Sequence, residues 1–257
     1  MSEHVRIESD GGVLAITLAR PERRNAITVA MYAALADAIE RAQQDPSLRL
    51  ITLAGDGEDF TAGNDLADFM AALPRDGDEI AVWRLLRALA ANALPLIAAV
   101  HGNAIGIGTT LLLHCDFVLA EEGTRFSLPF VDLGLVPEAA SSLLLPRLAG
   151  RRRAARYLLL AEPFGPDEAR EWGLVSSVVP KGGLDAALAQ TVAALLAKPA
   201  TALRMTQRLL RHASRDEVLE RFELENGHFA ERLKSAEVKE AITAFFEKRK
   251  PDFSGLG

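Results

Sequence analysis

Cysteine is nearly absent. Cys115 is the single thiol in 257 residues, so no disulfide can form within the chain, and no Cys/His spacing of a metal site exists. An excess of positive charge is missing too. Lys and Arg number 29 against 35 Asp and Glu, a net charge of −6, which argues against nucleic acid as a partner, because such proteins carry a basic face. Aromatics make up only 6 % of the chain, and no basic patch interleaved with stacking rings is visible. No apolar run approaches the ~20 residues of a membrane span. The start, Met1-Ser2-Glu3-His4-Val5-Arg6, lacks a hydrophobic signal core. The expectation is a cytoplasmic protein with neither a membrane nor a nucleic acid as partner. A phosphate-binding Walker loop is excluded, since no Gly-Lys-Ser/Thr follows a glycine-rich stretch.

What is present is an α/β pattern. Val5–Ser9 and Val13–Leu18 alternate around Asp10-Gly11-Gly12, a hairpin signal. Thr28 is placed to cap a helix carrying Met31, Leu35 and Ile39. Leu48–Ala54 and Pro95–Val100 read as buried strands. The polar stretch Pro74–Asp78 precedes a helix bearing Val82, Leu85, Leu86 and Leu89. Short strands are expected at Phe117–Ala120 and Arg125–Leu128. A helix should start near Glu138 and be ended or kinked by Pro146. After Pro180 only helices are expected, over 184–197, 200–212, 216–233 and 236–249. Strands mixed with helices, followed by an all-helical tail, indicate a layered α/β core with a helical appendage.

Two glycine-bearing loops follow the buried strands. One is Phe60-Thr61-Ala62-Gly63-Asn64-Asp65-Leu66; the other is Val100-His101-Gly102-Asn103-Ala104-Ile105-Gly106-Ile107-Gly108. Glycine lets backbone N–H groups approach a ligand, and a helix start adds unpaired donors and a positive dipole end. Two such turns together can hold one oxyanion. The rival is a dinucleotide fingerprint, but Leu111 stands where its third glycine belongs.

The ordered set Ala-Gly-Asn-Asp-Leu, Val-His-Gly-x-Ala-Ile-Gly-x-Gly, Cys-Asp-Phe-Val-Leu-Ala and Phe-Ser-Leu-Pro-Phe resembles the crotonase (enoyl-CoA hydratase/isomerase) superfamily. Arg20–Ala26, Glu171–Val175 and Ala244–Pro251 add matches over almost the whole chain. The resemblance implies a crotonase-like spiral of ββα turns over residues 1–195, and an all-helical C-terminal region over 196–257 involved in oligomerisation. It implies a homotrimer or a dimer of trimers, an acyl-CoA thioester substrate, and no cofactor beyond the coenzyme A the substrate carries. The oxyanion donors carry over to the amides of Ala62 and Ile107. Coenzyme A would be met by Arg23, Asn25, Ala26, Ala62, Asn64, Asp65, Leu66, Phe245 and Lys248. A solvated loop is the other reading of the Arg20, Arg23 and Arg24 cluster.

One departure bears on the reaction. Hydratases of this superfamily use two glutamates, and the corresponding positions here are Thr110 and Phe130. Neither side chain can activate water or deliver a proton to carbon. The segment Pro129–Ser142, with its Pro137-Glu138, instead resembles the branch that isomerises 3-enoyl-CoA to 2-enoyl-CoA, and the match makes Glu138 the proton shuttle. Its plainer reading is a first-turn acid complementing a helix dipole. Asp132 reads as a turn cap, His101 as a side-chain-to-backbone tie, and His114, Cys115 and Asp116 as core or turn residues. Hydration, other thioester chemistry and a non-catalytic acyl-CoA-binding scaffold are the alternatives.

Overall fold

The computed structural model describes residues 2–71, 81–212 and 215–256; the predicted loop Pro74–Asp78 lies outside them. The chain opens with a hairpin, β1 (Val5–Asp10) and β2 (Val13–Leu18), paired antiparallel from Val5↔Leu18 to Asp10↔Val13. Helix α1 (Val29–Gln44) follows, with the Thr28 side chain accepting from Met31 N at 3.2 Å, the cap expected from sequence. Then come β3 (Leu50–Gly55), α2 (Leu66–Ala71), α3 (Ala81–Ala91), β4 (Leu96–Val100), β5 (Asn103–Ile105) and the single turn α4 (Ile107–Thr110). β6 (Phe117–Glu121), β7 (Arg125–Ser127), α5 (Ser141–Ala149), α6 (Arg151–Leu159), α7 (Pro166–Glu171) and β8 (Ser177–Val179) complete the mixed region. Four helices end the chain: α8 (Leu184–Leu196), α9 (Ala200–His212), α10 (Arg215–Leu233) and α11 (Ala236–Glu247).

The main sheet runs β1-β2-β3-β4-β6-β8, parallel after the first pair. Its central strands are continuous apolar runs because both faces are covered: all five residues of β4 are buried. One face packs on α1 and α3 through Tyr32, Leu35, Leu85 and Leu89; the other packs on α8 around Leu50, Ile97 and Leu119. A second, narrower ladder lies beside the main sheet. It consists of the β5–β7 pair and the isolated bridges Ile27↔Asn64, Thr61↔Ala104 and Phe126↔Phe164. Each pass of the chain therefore leaves one strand in the main sheet and one short segment in the ladder, the ββα spiral the resemblance implies. Among the described residues no single helix is long and apolar enough to cross a membrane.

Two boundaries differ from expectation. The helix expected near Glu138 begins at Ser141, because Ala139 and Ala140 adopt left-handed conformations at φ 60° and 54°. Pro146 does not end it; α5 continues to Ala149 and packs along α6.

Candidate active site

The two glycine-bearing loops run side by side because their backbones pair. Phe60 N donates to His101 O at 2.9 Å, Thr61 N to Asn103 O at 2.9 Å, and Ile105 N to Thr61 O at 3.1 Å. Gly63, at φ +89°, is required here: a Cβ would stand 2.8 Å from Ile105 O. Asp59 ties the loops together, accepting from Arg24 Nε at 2.6 Å and from Asn103 N at 2.8 Å. Burial alone would raise its carboxyl, but the bonds from Arg24 and Asn103 outweigh it and hold the group below the usual carboxylate range.

Which amides remain available follows from register. Ala62 N donates to Arg24 O at 2.9 Å, so the expectation that Ala62 supplies an oxyanion donor is corrected: its N–H is engaged in holding the loop. Two residues on, the bridge to Ile27 uses Gly63 O (from Ile27 N, 2.8 Å) and Asp65 N (to Ile27 O, 3.0 Å). In a parallel bridge the residue between these two presents its own N–H to the opposite side, and Asn64 lines the cavity there. Ile107 is the first residue of α4, where the helix leaves its N–H without an internal partner. Among the described residues neither the Asn64 nor the Ile107 N–H meets an acceptor. Each stands three positions beyond the bridged pair Thr61↔Ala104, so two free amides border one cavity. The φ of Ile107 is not positive, and the side chain is buried at 1 % exposure.

That cavity has a volume of about 570 Å³. Of the residues expected to meet coenzyme A, Arg23, Ala26, Asn64, Asp65, Leu66 and Phe245 lie on its wall, as does Ala62. Two do not. Asn25 is fully buried, and its side chain bonds Arg20 N, Asp56 O and Asp59 O, holding the loop shut. Lys248 is the exposed left-handed cap of α11 and is not on the wall. Asp65 is paired to Arg20 at 2.7 Å; the cations on the cavity wall are Arg23 and Arg24, the latter also paired to Asp59. Phe130 supplies apolar wall, together with Leu133, Leu135 and side chains from α10 and α11.

Glu138 is not among the residues of this wall. It is 4 % exposed, and its Oε1 has no hydrogen-bond partner. Burial, and secondarily the Glu225 carboxyl, push it up to about 8. The segment is strained: two successive left-handed alanines cost about 1–2 kcal/mol each. It is held from outside. Helix α5 has no side-chain cap of its own, and Glu225 from α10 supplies one, accepting from Ala140 N at 2.6 Å and Ser142 N at 2.9 Å. His114 Nε2 bonds Ala139 O at 2.9 Å; burial holds that imidazole down to about 4, so it is neutral and donates. Tyr32, fully buried in α1, donates its hydroxyl to Asn64 Oδ1. Burial raises the Tyr32 phenol well above its usual range, and the Glu138 charge adds to the shift.

The remaining candidates are structural. His101 Nε2 contacts Gly57 O at 2.9 Å. Asp116 accepts from Leu96 N at 2.8 Å and pairs with Arg211 at 3.2 Å. The Cys115 thiol, pushed up by burial, bonds Leu111 O at 3.7 Å. Asp132 is exposed and off the cavity, and Thr110 is buried with its hydroxyl near Ile107 O. Sequence reasoning did not single out Tyr32 or Glu225. A polar residue inside each helix's apolar stripe was the only signal, and nothing local says what it faces.

Comparison with known proteins is consistent across the chain. A family model described as Enoyl-CoA hydratase/isomerase matches residues 8–256. The chain is 33 % identical to the 1,2-epoxyphenylacetyl-CoA isomerase of Escherichia coli (strain K12), over 99 % of this chain and 100 % of that one. It is 34 % identical to a probable enoyl-CoA hydratase of Rhodobacter capsulatus, again over 99 % and 100 %. The crystal structure of an enoyl-CoA hydratase/isomerase from Pseudoalteromonas atlantica T6c superposes with a TM-score of 0.92 at 40 % identity, covering 98 % of this chain and 100 % of that chain.

Proposed function

The chain belongs to the enoyl-CoA hydratase/isomerase family, and from that premise we propose that this acyl-CoA enzyme converts 3-enoyl-CoA to 2-enoyl-CoA, with Glu138 as the proton shuttle. The single supporting observation is the isolated carboxyl itself: Glu138 is buried, lacks a partner on Oε1 and is raised to about 8. A group in that state can accept a proton and return it near neutral pH. Glu138 takes the C2 proton, and the electron pair moves through C1 onto the thioester oxygen, giving a dienolate. The amides of Asn64 and Ile107 stabilise that oxygen as charge develops on it. The same carboxyl returns the proton at C4, which leaves the double bond between C2 and C3. Thr110 and Phe130 at the hydratase glutamate positions support isomerisation over hydration, which needs a second acid–base group. Coenzyme A enters with the substrate, its phosphates against Arg23 and Arg24. The exposed Met205, Leu209 and Leu210 on α9 offer an apolar surface for assembly into a trimer.

The test offers the purified protein 3-hexenoyl-CoA and 2-hexenoyl-CoA separately, with the ultraviolet absorbance of the conjugated thioester followed. Absorbance should rise with the first and hold with the second. Glu138→Gln should lower kcat by about 10²–10⁴ with KM nearly unchanged. Steady loss of 2-enoyl absorbance through hydration, or full turnover by the Gln variant, overturns the assignment.

A further inference from the structure

Glu225 stands 87 positions beyond Glu138, on a helix that the reaction scheme above does not use. It is nevertheless 5 % exposed and both of its oxygens are engaged. Oε2 accepts from Ala140 N at 2.6 Å and Oε1 from Ser142 N at 2.9 Å. The neighbouring turn of α10 adds a second grip, with Arg221 Nη1 on Ser142 Oγ at 3.2 Å. From the other side, His114 holds Ala139 O, and its ring lies 5.6 Å from that of Phe222 on α10. Residues 139–142 are thus clamped at three backbone groups, Ala139 O, Ala140 N and Ser142 N, and one hydroxyl.

Two features make the clamp more than ordinary packing. The clamped residues include the left-handed pair Ala139 and Ala140, a conformation that alanine does not hold unaided. The residue immediately before that pair is Glu138, whose Oε1 has no hydrogen-bond partner to fix it. The direction of the Glu138 side chain is therefore set by its backbone, and its backbone is set from α10.

We propose that Glu225 is a positioning residue for Glu138: its carboxylate, bonded to the amides of Ala140 and Ser142, fixes the turn that aims the proton shuttle at the substrate. The proposal rests on the isomerase reading of Glu138. It makes a C-terminal helix part of the reaction geometry without touching the substrate. It also places two carboxyls close together in one buried region. The other titratable groups facing them are Tyr32 from α1, His114 from the turn after α4, and Arg221 from α10.

Three variants are assayed together for 3-enoyl-CoA isomerisation across pH 5–9. Glu138→Gln tests the isomerase reading. Glu225→Gln removes the charge and keeps the size. Glu225→Asp keeps the charge and shortens the reach. A misaimed base should lower kcat roughly ten- to hundredfold in both Glu225 variants, with KM for the acyl-CoA within about twofold. In Glu225→Gln the acid limb of the pH–rate profile should also move to lower pH, because Glu138 loses a negative neighbour. In Glu225→Asp the limb should stay where the parent has it. If Glu225→Gln does not fold, Glu225→Asp decides by its kcat-to-KM split. Glu138→Gln inactive, with parental kcat and pH profile in the Glu225 variants, overturns the positioning role alone. Parental activity in Glu138→Gln overturns the isomerase reading beneath it.

Discussion

Replacing Glu138 by glutamine changes almost no volume but removes the ability to ionise, so the variant isolates what a buried charge costs this fold. The carboxyl is 4 % exposed and is pushed from its ordinary 4.5 to about 8. At 1.36 kcal/mol for each tenfold change in proton affinity, the full difference is about 5 kcal/mol. The sign follows from linkage. Below pH 4.5 the group is neutral both folded and unfolded and costs nothing. Between 4.5 and 8 the unfolded chain releases the proton while the folded chain keeps it, so stability falls as pH rises. Above 8 the cost is complete. From pH 5 to pH 8 the parent should therefore lose about 3–4 kcal/mol relative to Glu138→Gln. Groups common to both proteins, including the neutral His114, cancel in that difference. Glutamine buries an amide with its own unmet bonds, an offset of about 1–3 kcal/mol that does not vary with pH, so the trend and not the absolute value carries the test. Urea unfolding of both proteins at pH 5, 6.5 and 8 reads it. Parallel stabilities at all three pH values would refute the buried, raised carboxyl and with it the proton-shuttle argument.

Ile107→Pro deletes one of the two proposed oxyanion amides at a helix's first position, where proline is tolerated; kcat should fall by about 10²–10³ while circular dichroism stays parental, and unchanged kcat would remove Ile107 from the site. Gly102→Ala forces a Cβ to 1.9 Å from Glu58 O at φ +59°, so a loss of about 3 kcal/mol or more is expected, read as melting temperature or soluble yield. Asp65→Asn breaks a half-buried ion pair, Arg20 to Asp65 at 2.7 Å, and should lower stability by about 1–3 kcal/mol in a urea titration and raise KM for the acyl-CoA more than it lowers kcat.

The parts of the fold that a local pattern determines were legible. Alternation around Asp10-Gly11-Gly12 forecast β1 and β2, and Thr28 forecast the start of α1. Continuous apolar runs gave β3 and β4, and the four C-terminal helices fall within two or three residues of their expected bounds. What failed depended on distant partners. Ala62 and Asn64 are both small or polar residues beside Gly63, and their sequence says nothing about which N–H is free. The answer lies in the register of Asn64 against Ile27 and in Arg24 O reaching Ala62. The start of α5 was misplaced for the same reason. Its cap is Glu225, 85 positions from Ala140, and Ala140 is a residue no capping rule would choose. Asn25 was assigned to coenzyme A from its motif, yet it is the loop's internal brace.

These failures share a cause that also explains how the site works. The free amides of Asn64 and Ile107, the proposed oxyanion donors, lie in and just after the ladder of short bridges beside the main sheet, so their direction is fixed by the backbone and survives changes of side chain. On the proposed reading, acid–base chemistry belongs to one side chain, Glu138, on an irregular segment between β7 and α5, and that segment is bonded from α10. The scaffold thus separates charge stabilisation, which every thioester enolate requires, from proton transfer, which differs between reactions. Thr110 and Phe130 carry no carboxyl while Glu138 is a buried one, so on the proposed reading the second function rests on one side chain and the first is untouched. A single carboxyl serving C2 and C4 must be neutral enough to return its proton and basic enough to take one. Burial of Glu138, and secondarily the like charge of Glu225, raise it toward that range.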